Sequence, residues 1–257
     1  DEKGVWGAWS DAWSFTAQAP GVPIDVHFDR PDIARRSITL AWRVNPRGRK
    51  PARFRVYGSD EKGFTVGDRP FSILHRAIER QEKLQGKFDR EMKEMPSNFV
   101  GETSEATLTV VGPGATLPNA NKAYYRVVAV DANGVESGPS DYAEVPRAFI
   151  HTLPPGGATV GQKWEYRPGA IASIGDLRCR TFAQEKYYNA GFWDRETVSY
   201  QLYGAPAWLT IDETTGLLTG TPGAKDVGKH RFLLSINISR VGGDSQTIEL
   251  EVKEASR

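Results

Sequence analysis

Three groups of residues in this chain have chemistry to offer. The first is aromatic: Trp6, Trp9 and Trp13 fall close together in GVWGAWSDAWSFTA, and Tyr187, Tyr188 and Trp193 cluster in SIGDLRCRTFAQEKYYNAGFWDRET. Flat π-faces stack on the apolar faces of pyranose rings, so either cluster could hold a polysaccharide; the competing reading is burial, for the tryptophans of residues 1–20 as the tail of a preceding domain or a cover on the next, for the second cluster as core or as a domain interface. The second is basic. Arg47, Arg49, Lys50, Arg53 and Arg55 lie close together with Arg35 and Arg36 upstream, and guanidinium groups suit sulfate and carboxylate oxygens, so an acidic polysaccharide is one expectation and a solvated sheet face the other. Acids are nearly as numerous as bases and no recognition element is visible, so nucleic acid is not an expected partner. The third is acidic: Asp131, Asn133 and Glu136 surround one turn, Asp212 and Glu213 another. A calcium site wants six or more oxygens, and these clusters read better as turns stabilised by their own side chains.

Catalytic constellations are not expected. HExxH, GxSxG, a glycine-rich phosphate loop and a metal-spaced Cys/His set are all missing, and His27, His75, His151 and His230 are scattered. Gly242-Gly243-Asp244-Ser245 lies between two strand patterns and reads as a hairpin turn. A glycosidase needs two carboxylates facing one sugar, and no spacing singles out a pair. An unrecognised active site stands as the alternative, because function has to be argued from a site.

The elements that must position these groups are strands. With 257 residues and 39% hydrophobic content the chain is sized for two cores, and 26 Gly and 16 Pro between β-branched and aromatic runs point to an all-β protein. A net charge of +1 offers no global steering toward a polyanion. The single cysteine, Cys179, excludes an intrachain disulfide framework. No apolar run is long enough for a membrane-spanning helix, so membrane insertion is not expected. The chain begins at Asp1 and reads as a piece of something longer.

From residue 21 to 147 the pattern alternates with period two: residues 23–28, 38–44 and 54–56 read as strands A, B and C, residues 106–110 as E, 122–130 as F and 140–145 as G. In KAYYRVVAVDANGVES, Tyr124, Arg126, Val128 and Val130 share one face, and Asn133-Gly134 predicts a type I′ turn. Trp42, the RVYGS of strand C, the ATLTVVG run and YYRVVAVDANGVESGPSDYAEV together resemble a fibronectin type III domain. The resemblance has two departures: Ala123 stands where that family commonly places its corner tyrosine, and about forty residues separate C from E. In that insertion, about 68–98, Leu74, Ile78, Leu84, Phe88, Met92 and Met95 fall near helical spacing, with Glu79/Lys83 and Asp89/Lys93 as i,i+4 pairs, so a helix is expected. The helix, or the tryptophan segment of residues 1–20, should cover the apolar face of Tyr124, Val128 and Val130.

Residues 148–156 carry prolines and read as a stiff joint. The second domain, 157–257, centres on GAPAWLTIDETTGLLTGTP, where Pro206, Trp208, Leu209, Asp212, Thr215, Gly216, Leu218, Gly220, Thr221 and Pro222 resemble the pattern of Ig-like and dystroglycan-type cadherin-like domains of bacterial surface and secreted proteins. The two resemblances imply tandem β-sandwiches from an exported multidomain bacterial protein, acting as an accessory spacer for flanking domains of the same polypeptide in a carbohydrate-associated setting. No cofactor is expected, although cadherin-like relatives can hold calcium at domain junctions. The alternatives are a polysaccharide-binding module and part of a glycan-active enzyme whose catalytic domain lies elsewhere.

Overall fold

The computed structural model describes residues 19–78, 88–115, 117–172, 175–176, 198–238 and 242–255. Strands β1 (Ile24–Phe28), β2 (Ile38–Arg43), β3 (Arg53–Ser59), β4 (Glu61–Lys62), β5 (Phe71–Ile78), β6 (Phe88–Met95), β7 (Phe99–Thr103), β8 (Thr107–Val111), β9 (Tyr124–Val130) and β10 (Ala143–Glu144) build the first unit. A sheet in the order β1-β2-β8 faces one in the order β10-β9-β3-β7, so the strands read as A, B and E lie on one side and C, F and G on the other. Alternation does this work: Ile38, Leu40 and Trp42 of β2 point into the same core as Phe54 and Val56 of β3, and Trp42 meets Phe54 edge-on at 5.3 Å.

Tyr125 fastens the two sheets together. Its fully buried hydroxyl donates to the Val110 carbonyl at 3.0 Å and accepts the Lys122 N–H at 2.8 Å, and burial pushes its pKa up. The tyrosine whose hydroxyl bonds back to the backbone just upstream is thus Tyr125, two residues after Ala123. The β9 turn also differs from expectation. Only Gly134 takes a positive φ, of 81°, so the loop is not type I′. Gly134 N–H closes the turn on the Asp131 carbonyl at 3.1 Å, while Asp131 Oδ1 accepts the N–H groups of Asn133 and Val135, a side-chain device that holds Asn133 at negative φ.

The expected helix is a hairpin. β5 and β6 pair antiparallel from Phe71↔Met95 to Ile78↔Phe88, with Leu74 opposite Met92. A spacing of four places residues on one side of a helix and equally on one side of a strand, and here the strand solution wins. The face of Tyr124, Val128 and Val130 is buried. The described cover is the extended stretch of residues 64–68: Phe64 is buried, its carbonyl accepts from Arg126 Nη1 at 3.1 Å, and Asp68 binds Tyr57 and Arg55 of the same face. Asn98 pins this stretch through the Thr65 carbonyl and the Gly67 N–H.

Two further short strands, β11 (Phe149–Ile150) and β12 (Gly157–Thr159), lead into the second unit, which continues through β13 (Trp164–Tyr166), β14 (Ala170–Ile171), β15 (Gly175–Asp176), β16 (Val198–Tyr203), β17 (Leu209–Ile211), β18 (Leu218–Gly220), β19 (Gly228–Ile238) and β20 (Gly242–Lys253). Its sheets run β12-β20-β19-β16 and β13-β18-β17. The GLLTGTP motif is the β17–β18 hairpin. Asp212 Oδ1 accepts from the Thr214 and Thr215 N–H groups, and Gly216 turns the chain at φ 69° against the Tyr200 ring. Gly220 lets the chain pass Trp208, whose carbonyl would sit 2.1 Å from any added Cβ.

Candidate functional site

The aromatic candidates Trp6, Trp9, Trp13, Tyr187, Tyr188 and Trp193 lie outside the described residues. The basic candidates do not form a free cationic surface. Arg49 pairs with the buried Asp131 at 3.3 Å, Arg53 with Glu102 at 3.1 Å, and Arg55 with Asp68, Glu102 and Glu136 at 2.6, 3.1 and 2.7 Å. Arg55 also lies over the Phe99 ring at 4.9 Å; burial opposes its charge, but the bonds to Glu136 and Asp68 outweigh it and hold the guanidinium firmly protonated. Arg47 and Lys50 remain exposed. Upstream, Arg35 folds onto Asp32 at 3.2 Å and Arg36 leaves the surface altogether.

The acidic candidates are consumed in the same way. The backbone N–H groups of Val135 and Asn133 and the Arg49 guanidinium hold the Asp131 carboxyl below the usual carboxylate range, even against the cost of burial. Thr215 and Thr214 N–H groups do the same for Asp212. Glu136 turns toward Arg55, away from Asp131. Among the described residues, no three His, Cys, Asp or Glu side chains converge as metal ligands would. His27 and His230 each reach a backbone carbonyl at 2.7 Å, those of Asp25 and Asp226, and burial lowers the pKa of His151.

The group that brings distant residues together is the junction between the sandwiches. Arg36, 2% exposed and held at φ 52°, reaches across to the β19–β20 hairpin. Its Nη1 binds Asp244 Oδ2 at 2.8 Å, its Nη2 donates to the Ser245 carbonyl, and its guanidinium lies over the Phe149 ring at 5.8 Å. Asp244 Oδ2 also accepts the Ile150 N–H at 2.8 Å. One carboxylate thus ties both units to the segment between them. Phe149 and Ile171 enter the first core while Ala148, Ile150 and Ala172 enter the second, because neighbouring residues on a strand point opposite ways. β15 adds a parallel pairing to β4 of the first unit, Gly175 to Glu61 and Asp176 to Lys62. Behind this, the Tyr166 hydroxyl donates to Gln246 Oε1 at 3.0 Å, and Gln246 Nε2 to the Thr152 carbonyl at 3.0 Å.

Sequence reasoning placed Arg36 in a surface patch and Gly242-Gly243-Asp244-Ser245 in a hairpin turn; these four residues instead open β20, with Asp244 opposite Ile236, and a pairing across 208 residues leaves no local pattern to read.

Fold and junction together define the class: Ig-like β-sandwiches in tandem. Residues 180–253 match the family described as Putative Ig domain (He_PIG), less than a third of the chain. Among solved structures, the chain is similar to Drosophila N-cadherin EC1-3 (13% identity, 92% of this chain and 65% of that one, TM-score 0.32). It is also similar to the N-terminal eight Ig domains of Down Syndrome Cell Adhesion Molecule (10%, 95% and 27%, 0.29). A third is the endo-fucoidan hydrolase MfFcnA4 of glycoside hydrolase family 107 (13%, 80% and 30%, 0.31). The chain spans 65%, 27% and 30% of the length of these three structures, less than two thirds of each. No sequence among curated proteins matches it. Among the described residues, no helix is long and apolar enough to cross a membrane.

Proposed function

We propose that this chain is a non-catalytic accessory pair from a larger exported multidomain protein, a spacer that holds a neighbouring domain at a set distance and angle. The observation that carries the reading is the buried Arg36–Asp244 bond with Phe149 and Ile150 plugged into opposite cores. Such a joint resists bending, whereas inter-domain contacts are by default polar and mobile. The grouping of strands A, B and E against C, F and G supports a fibronectin type III-like first sandwich. The exported bacterial setting follows from the resemblance of the 204–222 motif to domains of surface and secreted proteins.

Small-angle scattering of the 257-residue chain tests the reading. A profile fitted by one conformer is expected, unchanged from dilute buffer to 0.5 M salt, roughly three times the physiological ionic strength, because a buried pair is weakly screened. A profile that requires a broad ensemble of inter-domain angles overturns it.

A further inference from the structure

We propose that the edge of the second sandwich around Tyr203 binds a neutral oligosaccharide. Tyr203, 54% exposed, is the one aromatic side chain among the large hydrophobic residues exposed in the described parts of the chain. Its hydroxyl donates to Gln201 Oε1 at 2.5 Å, and the two residues sit on the same face of β16, so the ring is held in place before any ligand arrives. A sugar ring can stack on the open face at little ordering cost.

Beside the ring lies a groove of about 650 Å³ lined by Gln201, Leu202, Tyr203, Leu209, Thr210 and Glu213, within the size range of small-ligand sites. It runs between β16 and β17, the outer strands of the two sheets. The Tyr200 N–H bridges that gap to the Glu213 carbonyl at 3.1 Å. Two residues on, the Leu202 N–H points to the same side and meets no backbone acceptor of β17. The Leu202 N–H, without an acceptor among the described residues, the Gln201 amide and the Glu213 carboxylate are the groups that fix vicinal hydroxyls, which both donate and accept.

Charge selects among sugars. Glu213 is the only charged residue in the lining, so uronic and sulfated sugars are repelled. The two nearest ranks of the adjoining outer face are uncharged: Gln201 stands opposite Ser235, which stands opposite Ser245, and Tyr203 opposite Leu233, which stands opposite Thr247; the next rank carries Arg231 and Glu249, which pair at 3.9 Å and so present no net charge. Hydroxyls, an amide and one ring make a surface for a neutral chain.

Affinity electrophoresis of the 257-residue chain through gels containing glucan, xylan, galactomannan or, as the anionic control, alginate tests the site. Retardation is expected in at least one neutral gel and not in alginate. Tyr203→Ala should weaken that association about tenfold or more, the scale of a lost aromatic anchor, while Tyr203→Phe, which keeps the stacking face, should stay within about threefold. Both variants should keep the parent's thermal midpoint, since the side chain is exposed. Passage through all three neutral gels without retardation overturns the proposal. So does retardation that Tyr203→Ala leaves intact, or stronger retention in alginate. The spacer reading goes untouched by these outcomes, because the scattering profile alone decides it.

Discussion

Arg36 and Asp244 are separated by 208 residues in sequence and by 2.8 Å in space, and their bond joins the two sandwiches. Removing one partner of a buried ion pair leaves the other uncompensated, so Arg36→Met should destabilise the chain by about 3 kcal/mol. Calorimetry should then resolve two transitions where the parent shows one. Arg36→Lys should recover only part of the loss, because an ammonium cannot bind Asp244 and the Ser245 carbonyl as a planar fork does.

Acid should loosen the first sandwich through Asp131. Its folded-state pKa is depressed, so the stability it contributes is present above the unfolded value near 4 and is lost as pH falls through the folded one. Asp32 and Asp212 are depressed in the same direction. Thermal midpoints measured from pH 7 down to about pH 3 should fall most steeply below about pH 4. Asp131→Asn should be less stable at neutral pH and show a shallower acid decline; an unchanged slope would assign the effect elsewhere.

The strand alternation and the GLLTGTP hairpin were legible because both are local: period two sorts a strand's faces, and a glycine at positive φ announces a turn. The insertion was not legible because Leu74 and Ile78, like Phe88 and Met92, are spaced by four, which fits both periods; register decided it, pairing Leu74 with Met92 and Ile78 with Phe88. The DANG turn misled for a related reason. Asn-Gly favours type I′ in isolation, yet the Asp131 side chain supplies acceptors that select a different loop. The ion pairs of the basic patch were not legible because its acids, Asp68, Glu102, Asp131 and Glu136, arrive from other strands and loops. Long-range pairing of charge leaves no periodic trace.

The second sandwich depends on Gly216. Its φ of 69° suits glycine, and an added Cβ would fall 2.7 Å from the Tyr200 ring. Gly216→Ala should therefore cost about 2 kcal/mol by urea unfolding, combining left-handed strain with the push on a buried ring. Gly134→Ala is the matched control: φ is 81° but nothing lies within 4 Å of the added carbon, so it should lose only the strain, about 1 kcal/mol.

Masked cations can be unmasked. Glu102→Gln removes the acid that binds Arg53 and one of the three that bind Arg55, next to the exposed Arg47 and Lys50. The variant should elute from a heparin column at higher salt than the parent, with stability changed by no more than about 1 kcal/mol, as for other half-exposed pairs. Identical elution would mean that these arginines are not what a sulfated polymer meets.

Phe149 of β11 and Ile171 of β14, which pair with each other, complete the first core from the stretch that leads into and begins the second unit. Synthesis runs from the N-terminus, so the leading sandwich cannot finish closing when its own last strand leaves the ribosome; it waits for residues that belong, by sequence, to its successor. A gene cut at residue 147 would encode a first unit with two holes in its interior. The natural unit of folding in this chain, and of any transplant into another protein, is the pair.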